Sequence, residues 1–503
     1  MEKRILLAFA LSMAILLIWS NFVNKQTLPP VPGVPSPAEK VQVTPELAIP
    51  AAEIPSTSLT FSKINQDKTE ITLVDAQGAI KEVIFKAYQS YSFPLKYGLL
   101  LKDPLLNFTK EAAPADTAVF IGSDNNKRVL KQFNFHNSNY TIELSIEIQN
   151  ISNSPLTINM PLALGVLNFS GDQNKARFQD VTVEQKEKIS RPSPQKDATF
   201  PDLKFLSIRD RYFCGIIVPP SGNYTGYIKK IAPQESEVGV LFPNIVLAPG
   251  EKTKQQFRIY LGPQDLQIIN QADPSWTAVM NYGMFDAIAQ ILLQAIGFLY
   301  RLVHNWGLAI IILSLLIYAI LYPLSAKQMH SMKAMQALQP RVEEIKRAYK
   351  DNPQKQNKEI MELYRQNKVN PLGGCLPMLL QLPIFWALYQ ALIRSIALKG
   401  AHFLWIKDLS EPDRLFILPS SLPFIGDQIN ILPVLMGIGM FVQQKLTSGS
   451  MAGSQAEQQK LMLILFPIMF VFIFYHMPSG LVLYWFVNSI LMLLYQLKIH
   501  RNK

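Results

Sequence analysis

The chain has 503 residues, 49% of them hydrophobic, with a formal net charge of +11. That length excludes a single ordinary domain. Residues 25–273 hold 26 Lys and Arg against 25 Asp and Glu, and the rest holds 22 against 12, so nearly all the basicity belongs to the apolar parts and their loops.

Residues 1–24 begin Met1-Glu2-Lys3-Arg4, and Ile5–Val23 then runs without a charge. No small-x-small cleavage site follows, so the stretch reads as a retained N-terminal anchor. Residues 25–55 form a linker with eight prolines between Pro29 and Pro55 and no regular period, which suits a semi-extended tether.

Residues 56–280 change to period two. In Tyr140–Gln149, Ile142, Leu144, Ile146 and Ile148 alternate with polar residues. Thr69–Phe85 reads as a hairpin turning at Ala76-Gln77-Gly78, and Arg211–Val218 and Gln255–Leu261 as strands. Many short strands and turns predict a large antiparallel β-sandwich. Its one histidine, His136, and its scattered carboxylates give little basis for catalysis. Docking of a partner protein is the expectation, with no surface located. Residues 284–305 carry apolar positions at helical spacing and predict an amphipathic helix lying in the membrane interface.

Residues 306–325 hold no charge and are long enough to span a bilayer core of roughly 30 Å. Ser314, Tyr318 and Tyr322 recur every four residues on one face. Two readings stay open for that stripe: helix-on-helix packing, or the wall of a wet cavity. Residues 326–370 present two helical runs separated by Asp351-Asn352-Pro353, predicting a helical hairpin coated by ten Lys and Arg, among them Lys346, Arg347 and Lys350. This is either a solvated basic loop or a landing site for anionic lipid headgroups or ribosomal RNA. Further spans are expected at 371–398, 431–447, 461–476 and 480–497, making six with the anchor. Loops 399–430 and 448–460 and a basic tail, 498–503, complete the chain. The tail holds Lys498, Arg501 and Lys503. Charge bias places both termini and the 326–370 hairpin in the cytoplasm and the β-domain outside. Cys214 and Cys375 then lie on opposite sides and cannot pair, and no metal cluster follows from them.

Val369-Asn370-Pro371-Leu372-Gly373-Gly374-Cys375-Leu376-Pro377 followed by Gln381-Leu382-Pro383-Ile384-Phe385 resembles the third core helix of the YidC/Oxa/Alb membrane protein insertases. Tyr322-Pro323-Leu324, Leu338-Gln339-Pro340, Leu404-Trp405-Ile406-Lys407-Asp408-Leu409 and Pro478-Ser479-Gly480-Leu481 match as well. The anchor and β-domain resemble the bacterial inner-membrane form. The resemblance implies a five-helix core around a hydrophilic groove, open to cytoplasm and lipid and closed outward, with a periplasmic β-supersandwich. It implies nascent membrane proteins as clients, and the Sec translocon, ribosome and anionic phospholipids as partners.

The polar or soft positions at helical spacing fit such a groove: Ser314, Tyr318, Tyr322, Gln381, Gln444, Tyr484, Trp485 and Asn488. Relatives place one Arg or Lys in the groove, and the matching position here is Tyr318. Arg394 is expected near the outer interface, reaching toward water. Twelve of the seventeen methionines follow Ser325, which suits a surface accepting many apolar sequences. No phosphate-binding loop is present, and no cofactor or enzymatic reaction is expected. A transporter or channel is the alternative. It would call for inverted repeats and charges at mid-membrane, which this sequence lacks.

Overall fold

The computed structural model describes residues 60–103, 106–170, 176–186, 188–350, 352–367, 369, 376–422, 426–447 and 454–501. The expected anchor at 1–24, the linker at 25–55, Cys375 and Lys503 lie outside the described residues. The chain divides into two units, 1–279 and 280–503.

The first unit is antiparallel β-structure. The expected hairpin forms from strands Thr69–Val74 and Ala79–Phe85, paired Val74 to Ala79. Asp75–Gln77 make the turn, and Gly78 closes it at φ +52°, where a side chain would be strained. Strand Thr141–Asn150 sits inside a nine-stranded sheet, with Ile142, Leu144, Ile146 and Ile148 all buried. A five-stranded sheet, including Pro161–Asn168 and Glu235–Leu241, packs on it. The close approach is visible at Gly165, where an added Cβ would come 3.0 Å from Ile208 Cδ1 of the facing sheet. Short helix α1, Leu266–Ala272, follows, capped by Asp265, whose carboxylate accepts from Gln267 N and Ile268 N. Arg209 and Arg191 then hold the end of the short 3-10 helix Pro274–Val279, donating to the carbonyls of Val279 (3.0 Å) and Ala278 (2.8 Å).

Lys131 is fully buried in this unit and donates to the carbonyl oxygens of Gly78 (2.6 Å) and Leu99. Burial pushes its ammonium from the ordinary 10.5 down to about 7. Above that value the folded chain holds fewer protons at this site than the unfolded chain does. Stability of the β-unit should therefore rise with pH from about 7 toward 9. Denaturant midpoints of the sheet signal check this: Lys131→Met should flatten the rise. Cys214 is buried, and burial raises its thiol pKa, so it should resist alkylation in the folded chain.

The second unit is helical. Its helices are α2 (Asp286–Val303), α3 (Trp306–Ala348), α4 (Pro353–Gln366), α5 (Leu376–Arg394), α6 (Ile431–Thr447), α7 (Ser454–Phe474) and α8 (Ser479–Arg501). The expected span at 306–325 and the helical run after it are one 43-residue helix, about 65 Å long. Pro323 and Pro340 lie within it without ending it. Asn352 caps α4 through Lys355 N, and Gln356 Nε2 donates to Lys346 O of α3 at 3.1 Å.

Among the described residues, Asp286–Val303, Trp306–Lys327 and Ser479–Lys498 are long and apolar enough to cross a membrane. Ile431–Leu446 and Leu463–Phe474 are shorter apolar helices. α2 packs on α3 and α5 through Ala289, Leu292, Ile296 and Leu299, while Ile291, Phe298 and Leu302 stay exposed. Its apolar surface thus has two faces, one covered by protein and one bare. Tyr300 of α2 stacks on Trp306 at 4.0 Å, which fixes the corner into α3.

Candidate functional site

The polar residues of the helical unit fall into two groups. α5 and α8 meet through Gln381, whose Nε2 donates to the hydroxyl of Tyr484. Tyr484 is fully buried, so this is a polar link between two largely apolar helices. One turn further along α8, Asn488 Nδ2 donates back to Tyr484 O at 3.0 Å. Ser489 Oγ donates to Trp485 O at 3.0 Å.

Three tyrosines form the second group. The Tyr322 ring lies 6.4 Å from Tyr318 on α3 and 5.3 Å, edge-on, from Tyr495 on α8. The Tyr318 hydroxyl is buried and has no hydrogen-bond partner among the described residues. Gln496, next to Tyr495, buries its Oε1 in the same condition. A buried hydroxyl left without a partner costs about 1–3 kcal/mol, so such a group calls for an explanation.

Ser314 is placed differently from Tyr318. It is fully buried, and its hydroxyl donates to Ile310 O of its own helix at 2.8 Å. A serine in a helix commonly satisfies itself this way, and sequence spacing cannot distinguish it from a serine that faces a cavity. Trp485 lies in an aromatic cluster. Its ring is 5.3 Å from Phe385, 5.4 Å from Phe474 and 5.9 Å from Phe470. Gln444 on α6 is half-buried. Tyr495, Gln496, Phe470 and Phe474 are not among the residues expected from the sequence. Tyr495 had a signal: it follows Tyr484 by eleven residues, three helical turns, on the same face.

The basic residues lie at or just past the end of α3 and at the end of α8, where Lys498 follows Tyr495 by three residues. Lys346 is half-buried, while Arg347, Lys350 and Lys498 are exposed, and Arg347 approaches Glu343 at 3.9 Å. Arg501 ends α8.

The family profile described as 60Kd inner membrane protein matches residues 298–503. The profile of the YidC periplasmic domain matches residues 108–295. The membrane protein insertase YidC of Pelobacter propionicus is 34% identical over 548 residues, covering 100% of this chain and 99% of its own. That of Geobacter sulfurreducens is 32% identical over 469 residues, covering 86% and 84%. A crystal structure of an active YidC insertase with its first transmembrane domain resolved is similar at a TM-score of 0.41. It shows 21% identity and covers 87% of this chain and 92% of that one.

Proposed function

The chain belongs to the YidC family of membrane protein insertases, and on that premise we propose that it receives nascent membrane proteins along a polar but uncharged wall. Family membership makes it an inner-membrane protein with a periplasmic domain. Tyr318, Tyr322, Tyr495, Gln381, Gln444 and Asn488 line the wall in this reading, with buried Tyr484 holding Gln381 from behind and Trp485 and its phenylalanine neighbours as the apolar flank. Ser314 stands behind it. The observation that carries the reading is the buried Tyr318 hydroxyl without a partner among the described residues. A passing polar segment of a client would supply the missing bond, which lowers the cost of carrying that segment past hydrocarbon. The driving force is entry of the client's apolar helix into lipid, so the reaction needs neither nucleotide nor cofactor.

In this account the chain makes six spans with both termini in the cytoplasm, and α2 rests in the outer interface. The helical pair formed by the end of α3 with α4 is cytoplasmic. Lys346, Arg347, Lys350, Lys498, Arg501 and Lys503 offer charge to ribosomal RNA or anionic headgroups. The Sec translocon is a partner for larger clients.

Photocrosslinking from single positions to a ribosome-stalled membrane protein tests the wall. Adducts are expected from 318, 322 and 381 and not from 314. A pattern with 314 equal to 318 would overturn the assignment.

A further inference from the structure

The segment between α5 and α6 is fastened at its base and bare at its ends. Phe403 lies against the start of α3 so closely that a Cβ on Gly307 would come 2.1 Å from its ring. Ser479 N and Gly480 N, opening α8, donate to Glu411 O (2.8 Å) and Leu409 O (2.9 Å). Buried Asp413 accepts from Ile431 N and Leu432 N, both at 2.9 Å, and so caps α6. The segment is therefore a rigid platform over the ends of three helices.

Three large apolar side chains project from that platform. Leu404 is 76% exposed, Phe416 60% and Ile417 71%. Leu404 stands at φ +52° in a tight turn closed by reciprocal hydrogen bonds between Phe403 and Ile406. A left-handed backbone costs a leucine about 1–2 kcal/mol, so this turn presents an apolar group outward at some expense. Phe416 and Ile417 belong to strand Phe416–Leu422, which pairs with Gly426–Ile429. Their partners are Ile429 and Gln428, within three residues of the start of α6. No charge occurs between Arg414 and Asp427.

α6 follows the strand pair directly. Val434, Ile438, Phe441 and Val442 are exposed at helical spacing, forming an apolar stripe. With 17 residues the helix is about 26 Å long, short of a hydrocarbon core of roughly 30 Å. Lys407 and Arg414 are exposed beside the projecting residues, Arg414 also donating to Glu411 Oε2 at 3.3 Å. Apolar side chains bordered by basic ones match the layering of acyl chains beneath phosphates.

We propose that Leu404, Phe416 and Ile417 enter the acyl–headgroup boundary of the bilayer at this end of α6. They extend the stripe of that short helix, and Lys407 and Arg414 meet lipid phosphates. The platform thus fixes the depth and tilt of α6 against the membrane.

Depth-dependent quenching tests this in the full chain. Cys375→Ser leaves only buried Cys214, and Leu404→Cys or Ile417→Cys then takes an environment-sensitive nitrobenzoxadiazole label. In phosphatidylglycerol vesicles containing bromolipid, both labels should lose emission at least about twofold, while aqueous iodide leaves them nearly unchanged. Quenching by iodide would place the residues in water and overturn the proposal. Resistance to both quenchers would mean that protein covers them, and would overturn it equally.

Discussion

Asp413→Ala should destabilise the helical unit by about 2–4 kcal/mol, measured by thermal or denaturant unfolding of the full chain in micelles followed through helical circular dichroism. Asp413 is buried, and one oxygen, Oδ2, serves three donors: Ile431 N, Leu432 N and, at 3.2 Å, Trp405 Nε1. The first two are orphan amides of the α6 N-terminus, where a negative charge also complements the helix dipole. Alanine strands all three donors away from water. Asparagine keeps an oxygen at the same place and loses only the charge, so Asp413→Asn should cost less than half as much. An alanine effect below about 0.5 kcal/mol would mean that the capped amides find water and that the platform is not held through this residue.

The β-unit was the most legible part of the sequence. Alternation in Thr141–Asn150 and the Gly78 turn depend on local chemistry, and each maps onto a strand or turn of the structure. The long apolar run from Trp306 was equally plain, although Pro323 gave no sign that the helix would continue to Ala348. Proline ends a helix when its neighbours cannot absorb the lost bond, and that depends on packing absent from the sequence. The hairpin at 416–429 gives no strand signal in the sequence, because Phe416-Ile417-Leu418 is apolar without alternating. In the candidate site, spacing chose helical faces but not partners. Gln381 and Tyr484 are 103 residues apart, and nothing local announces their bond. Ser314 shares a face with Tyr318, yet it bonds to its own helix while Tyr318 does not. The phenylalanines around Trp485 could not be picked out by spacing, since apolar helices offer no contrast from which to read an inner face.

Removing the polarity of the wall without removing its shape should cost insertion far more than stability. Replacing both partners of a buried hydrogen bond by apolar groups of similar form is nearly neutral for folding. Gln381→Leu with Tyr484→Phe does this for the bond between α5 and α8. Tyr318→Phe removes a hydroxyl that has no partner among the described residues, so it should be neutral or stabilising. The triple variant should therefore fold and unfold much as the parent does. The Gln381 amide and the Tyr318 hydroxyl, the two groups here able to pair with a client's polar segment, are gone, at about 0.5–1.5 kcal/mol each, which predicts a loss in insertion rate on the order of tenfold. Tyr318→Arg, which restores the cation found in relatives of the resembled family, should keep activity, because a polar donor remains.

The direct measurement is insertion of a single-span membrane protein with a short polar tail into nucleotide-free liposomes containing the purified chain, scored by protease protection of the tail. The parent and Tyr318→Arg should insert the client, and the triple variant should fall by about tenfold while its unfolding midpoint stays put. Undiminished insertion by a folded triple variant would contradict a polar wall as the basis of the activity.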